Sequence, residues 1–120
     1  MKHLLLTIAA VVLVGCGVPS VDIWEAAKAG NIESVKKYLD AGGDVDAKDK
    51  YEWTGLSWAA AEGQNEIVEL LIANGADVDA QLVGGMTPLI WAKNVNQKET
   101  VDLLRKHGGK TAEELKAEGK

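Results

Sequence analysis

The sequence predicts an all-α repeat solenoid of about three stacked helix-turn-helix units, and three observations lead there. The first is a fixed period. Gly42, Gly75 and Gly108 are spaced by 33 residues, as are Val35, Val68 and Val101, and Thr54–Thr87 and Leu56–Leu89 keep the same step. Such a period marks units that cannot bury an apolar face alone and do so by stacking on their neighbours. The second is helical spacing inside the unit: Val35 and Leu39 stand at i, i+4 and share one face. The third is composition. The chain of 120 residues is 47% hydrophobic yet has no Phe, so Ala, Leu, Val and Ile must supply the core. Apolar residues this plentiful and this periodic exclude a disordered chain, and the length allows one domain.

The residues within the period carry a family resemblance. Thr87-Pro88-Leu89-Ile90 and its variant Thr54-Gly55-Leu56-Ser57 resemble the Thr-Pro-Leu-His opening of ankyrin repeats. Ala59-Ala60 with Gly63, Ile67 to Leu71, and Asn74 to Ala80 resemble the rest of that unit. The resemblance covers roughly residues 21–111 and implies stacked helix pairs joined by β-hairpin fingers. It also implies that a protein partner meets the finger tips and the concave face of the first helices.

From the start of the chain, Lys2 precedes an eleven-residue apolar run, Leu4 to Val14. About 20 residues are needed to span a bilayer, so the run fits the core of a secretory signal instead. Leu13-Val14-Gly15-Cys16 resembles the lipobox of bacterial lipoproteins, in which the Cys becomes the acylated first residue. Residues 1–15 are thus expected to be a signal peptide, and residues 16–20 a lipidated Cys16 with a short tether. A stable anchor needs more than one acyl chain, at about 0.8 kcal/mol per buried CH₂, and the resemblance implies a multiply acylated Cys16. Gly17 after the Cys resembles an outer-membrane address, which would place the domain in the periplasm, anchored to the bilayer through Cys16. No second Cys exists, so an internal disulfide is impossible.

The repeats fall at about 21–48, 49–81 and 82–111, with a capping segment over 112–120. Ser20 or Asp22 can cap the first helix, and Lys28, Lys36 and Lys37 form a solvated outer face, as a terminal repeat requires. The first finger reads Asp49-Lys50-Tyr51-Glu52-Trp53. Glu52 stands where the family usually has Gly, and the alternation of Tyr51 and Trp53 suggests two rings on one side. They are either contact surface or packing over a neighbouring finger. In the second finger Leu82 replaces the usual Asp, and Leu82, Val83 and Met86 suggest an apolar tip, open to a partner or covered by the tail. Trp58 and Trp91, again 33 apart, are expected to stack in register as core; Trp24 lies outside that register and reads as a capping side chain of the first repeat. Asn96 and Lys93 replace the turn Gly and the second Ala of the third repeat, which suggests a looser helix hairpin there. Thr111 with Glu114 forms a capping box. The candidate partner-binding residues are Lys50, Tyr51, Trp53, Glu62, Leu82, Val83, Met86 and Asn94.

A net charge of −5 argues against nucleic acid, whose phosphates require a basic face. His107 is the one histidine left after removal of the signal and sits at a helix end, where it complements the dipole. Asp44, Asp46, Asp77 and Asp79 repeat by 33 residues and suit turn hydrogen bonds rather than converging on a metal. No catalytic constellation, metal site or cofactor is expected. The sequence therefore suggests a lipid-tethered module for protein–protein interaction in the bacterial envelope, as an adaptor, inhibitor or immunity protein. The alternative is a structural, self-associating envelope lipoprotein with no dedicated partner.

Overall fold

A computed structural model describes residues 22–119. The signal segment, Cys16 and the tether lie outside these residues. Seven α-helices follow among them: α1 Ile23–Ala29, α2 Ile32–Asp40, α3 Gly55–Ala61, α4 Asn65–Ala73, α5 Pro88–Asn94, α6 Lys98–Lys106 and α7 Ala112–Ala117. The first helices α1, α3 and α5 pack in sequence, and α2, α4 and α6 form the second row against them. The core lies between the rows. Ile23, Ala27, Val35, Leu56, Ala59, Ala60, Ile67, Val68, Leu71, Leu89, Ala92 and Leu104 are buried in one cluster, and small Ala side chains let the first helices approach closely.

The starts of the first helices and the stops of the second have local causes. Asp22 caps α1 by accepting from the Trp24 and Glu25 amides at 3.1 Å. Thr54 and Thr87 cap α3 and α5 through their hydroxyls, and Pro88 follows at the first helical position, where its missing N–H costs nothing. Gly42, Gly75 and Gly108 close the second helices at φ 88°, 90° and 89°, a left-handed conformation that any side chain would strain. Asn96 takes φ 60° at the position of Gly63. The third hairpin is not looser for it: the Gln97 amide reaches the Ala92 carbonyl at 2.9 Å, as Gln64 reaches Ala59 at 2.8 Å.

The 33-residue period extends to the polar bonds between repeats. Asp44 and Asp77 accept from the amides of Asp46 and Asp79 at 2.9 and 3.0 Å, fixing the turns. Asp46 and Asp79 then reach forward and accept from Asp77 and Lys110 at 2.9 and 2.8 Å. On the opposite side Gln64 and Gln97 donate back to the carbonyls of Lys28 and Ala61. Each repeat is therefore hydrogen-bonded to the next at both edges.

At the C-terminal end Thr111 and Glu114 form the expected capping box, and Leu115 is buried against the stack. Glu114 also pairs with Arg105 at 2.7 Å. The Arg105 guanidinium and the Thr111 amide hold its carboxyl down at about 2. A carboxylate lowered on folding contributes stability above its unfolded pKa and loses it as pH falls to the folded value. The melting-temperature gap between wild type and Glu114→Gln should thus be full at pH 7, and should close as pH is lowered from the ordinary carboxylate range towards about 2. A constant gap would place the effect elsewhere.

The fingers depart from the expected β-hairpins. Among the described residues there is no strand, only an isolated bridge between Lys48 and Thr54 and a short 3₁₀ turn at Val83–Gly85. Each finger is a five-residue loop closed by one main-chain bond across its base, Asp49 N to Trp53 O at 2.9 Å and Leu82 N to Met86 O at 2.7 Å. It is too short to extend a ladder.

Candidate interaction face

The first finger is built on Asp49. One carboxylate oxygen accepts from the Tyr51 and Trp53 amides at 2.8 and 2.9 Å, and the other from the Trp58 indole N–H at 2.9 Å. Burial pushes this carboxyl up, but the Trp58, Trp53 and Tyr51 donors and the nearby Lys50 hold it below the ordinary carboxylate range. Glu52 sits at φ 69°, the conformation that Gly85 adopts at the same place in the second finger. A non-Gly residue there costs about 1 kcal/mol. Glu52→Gly should therefore raise the unfolding free energy by up to about 1 kcal/mol, and the denaturation midpoint with it, the exposed Lys48–Glu52 pair being worth little. A lower midpoint would mean that the side chain matters more than the backbone.

The same turn decides where the rings go. Tyr51 projects outward, 58% exposed, whereas Trp53 turns in and packs against Trp58 and Trp91, with ring centroids 4.4 and 4.9 Å apart. The two rings of the finger do not share a side. Trp58 and Trp91 are in register as expected, but Trp53 bridges them. All three remain half-buried, so the stack is both packing and surface. The Trp53 and Trp91 indole N–H groups have no hydrogen-bond partner among the described residues.

Leu82 corrects the expectation for the second finger. It is 4% exposed and is not part of an apolar tip. It takes the place of Asp49 and anchors the loop by burial where Asp49 anchors it by hydrogen bonds. Val83 alone projects, 66% exposed. Met86 is half-buried and shares a cleft of about 360 Å³ with Asn94, Ile90 and Ala112 of α7, so the tail borders this finger without closing it. Glu62 is exposed at the end of α3, outside that cleft.

Lys50 and Tyr51 come together in a larger groove of about 540 Å³ between α1 and the first finger. Its rings are Trp24, Tyr51 and Trp58. Asp22, Glu25 and Asp49 supply carboxylates, and Lys28, Lys48 and Lys50 supply amines. Trp24 is a wall of this groove and not only an end cap, its indole N–H bound to the Ala47 carbonyl at 2.9 Å. Sequence reasoning missed Asp49 as the organiser; an Asp two residues ahead of a turn amide was the available signal.

A family model described as ankyrin repeats in three copies matches residues 23–114. The chain belongs to the ankyrin-repeat family. Comparison with the curated proteins returns no match. The ankyrin repeats of this chain imply a protein–protein interaction role, and the family is typically a non-enzymatic interaction module. No group of three or more His, Cys, Asp and Glu residues suited to a metal occurs among the described residues, and no described helix is long and apolar enough to cross a membrane.

Proposed function

We propose that this ankyrin-repeat chain is a lipid-tethered protein-binding module of the bacterial envelope, acting as an adaptor, inhibitor or immunity protein and anchored through Cys16. The tether reading rests on the apolar run and the Leu-Val-Gly-Cys motif, Leu13 to Cys16. The binding reading rests on one observation: all four tryptophans and Tyr51 lie on the side formed by the first helices and the first finger. Aromatic side chains lose little entropy on binding and dominate interface energies. The stack holds them in place beforehand, so little ordering remains to be done.

The test is crosslinking capture from envelope fractions, comparing the full chain with a Tyr51→Ala, Val83→Ser double variant. Both positions are exposed, so folding should be retained. A stoichiometric partner whose recovery falls roughly tenfold or more in the variant, the scale of a lost aromatic anchor, is the expected result. Self-association in light scattering with no stoichiometric partner would replace the binding reading by the structural one. Cys16→Ala should release the chain from membranes, and retention there would remove the tether.

A further inference from the structure

The groove between α1 and the first finger already holds cations of its own. The Lys28 ammonium lies over the Trp58 ring, 4.7 Å from its centroid, and that of Lys50 lies 5.3 Å from the Tyr51 centroid. The electron-rich face of an indole attracts a cation within about 6 Å, and a guanidinium stacks there better than an ammonium. Both wall indoles are fixed by hydrogen bonds at their edges, Trp24 to Ala47 and Trp58 to Asp49, so their faces are set before any ligand arrives.

The charges of the groove divide unevenly once their partners are traced. Lys28 and Lys50 rest on rings, and Lys48 is paired with Glu52 at 4.0 Å. Asp49 accepts from three donors, two on one oxygen and one on the other, and is committed to holding the finger. Asp22 uses one oxygen to cap α1 and leaves the other without a partner among the described residues. Glu25 makes only an exposed 3.7 Å contact with Lys28. Carboxylate oxygens of Asp22 and Glu25 therefore stand beside ring surface, a combination that complements a cation, while Lys50, which makes no ion pair among the described residues, sits on Tyr51 at the finger side. An exposed pair such as Lys28–Glu25 is held by little, so a better cation can displace it.

We propose that this groove seats an arginine side chain of the protein partner, its guanidinium taking the place of the Lys28 ammonium on Trp58 with Trp24 beside it and Asp22 and Glu25 as acceptors. The proposal rests on the protein-binding reading above and names the chemistry of its anchor. Lys28 acts here as an internal competitor. Removing it should therefore strengthen binding, because it frees the Trp58 face and leaves Glu25 unpaired.

The probe is an acetylated Gly-Arg-Gly amide, titrated into the full chain with tryptophan fluorescence as readout, beside its citrulline isostere, which keeps the shape and loses the charge. A saturable change is expected with the arginine peptide, weaker by roughly tenfold with citrulline, the scale of a partly desolvated cation–π contact. Lys28→Ala should bind the arginine peptide a few times more tightly, and Glu25→Gln more weakly. Equal affinity for the two peptides, a flat titration, or weaker binding by Lys28→Ala would overturn the proposal. A flat titration beside a partner captured through Tyr51 removes the arginine site and keeps the protein-binding reading. A flat titration with no captured partner removes both.

Discussion

Leu56→Ala is expected to lower the stability of the stack by about 3–4 kcal/mol and to do so across all the repeats at once. Leu56 is fully buried on α3, the helix that packs against α1 on one side and α5 on the other. Truncation leaves a cavity that neither neighbour can close, because each is tied at both edges by the Asp and Gln bonds between repeats. A domain of this size has roughly 5–10 kcal/mol in total, so the loss is a large fraction of it. Stability in a repeat stack is a sum of unit and interface terms, and the central unit contributes to both interfaces. Urea unfolding followed by far-UV circular dichroism and by tryptophan fluorescence should give one coincident transition at a lower midpoint. Leu115→Ala offers the contrast. It is equally apolar and nearly as buried, but it sits on the terminal helix, so fraying should appear in dichroism before fluorescence moves. Separate transitions in Leu56→Ala itself would mean that the repeats unfold independently.

The difference between these two leucines was legible in the sequence, because the 33-residue period places Leu56 in the middle unit and Leu115 beyond the last one. The glycines and the core face follow from the same period, and the capping box from its own Thr111-to-Glu114 spacing. The fingers were less legible, for a definite reason. Placing Tyr51 and Trp53 on one side assumed an extended backbone, in which every second side chain points the same way. Glu52 at φ 69° breaks that alternation and turns Trp53 into the Trp58–Trp91 gap. Leu82 was misread similarly. The exchange of Asp for Leu between equivalent positions 49 and 82 alters how the loop is anchored, by hydrogen bonds in one and by burial in the other, and a pattern of residue types does not say which way a loop side chain points. The groove around Trp24 joins residues from α1, the first finger and α3, and no local spacing announces such a meeting.

Trp53→Ala is expected to cost about 2–3 kcal/mol, below the usual range for a fully buried Trp because the ring is only half-buried. The ring contacts both Trp58 and Trp91, so its loss opens the join between the first finger and the helices α3 and α5 behind it. The far-UV exciton signal of closely spaced indoles should vanish with it, and Trp53→Phe should restore most of the stability without that signal. Tyr51→Ala should change neither, since its ring stands in solvent. This pairing decides how any binding data are to be read. A partner lost by Trp53→Ala alone reports a collapsed face, because the same ring organises the two indoles beside it. A partner lost by Tyr51→Ala at unchanged denaturation midpoint reports a contact. If Trp53→Ala proved as stable as wild type, the stack would be an ornament of the surface and not a brace between repeats, and the preorganisation on which the binding reading depends would fall with it.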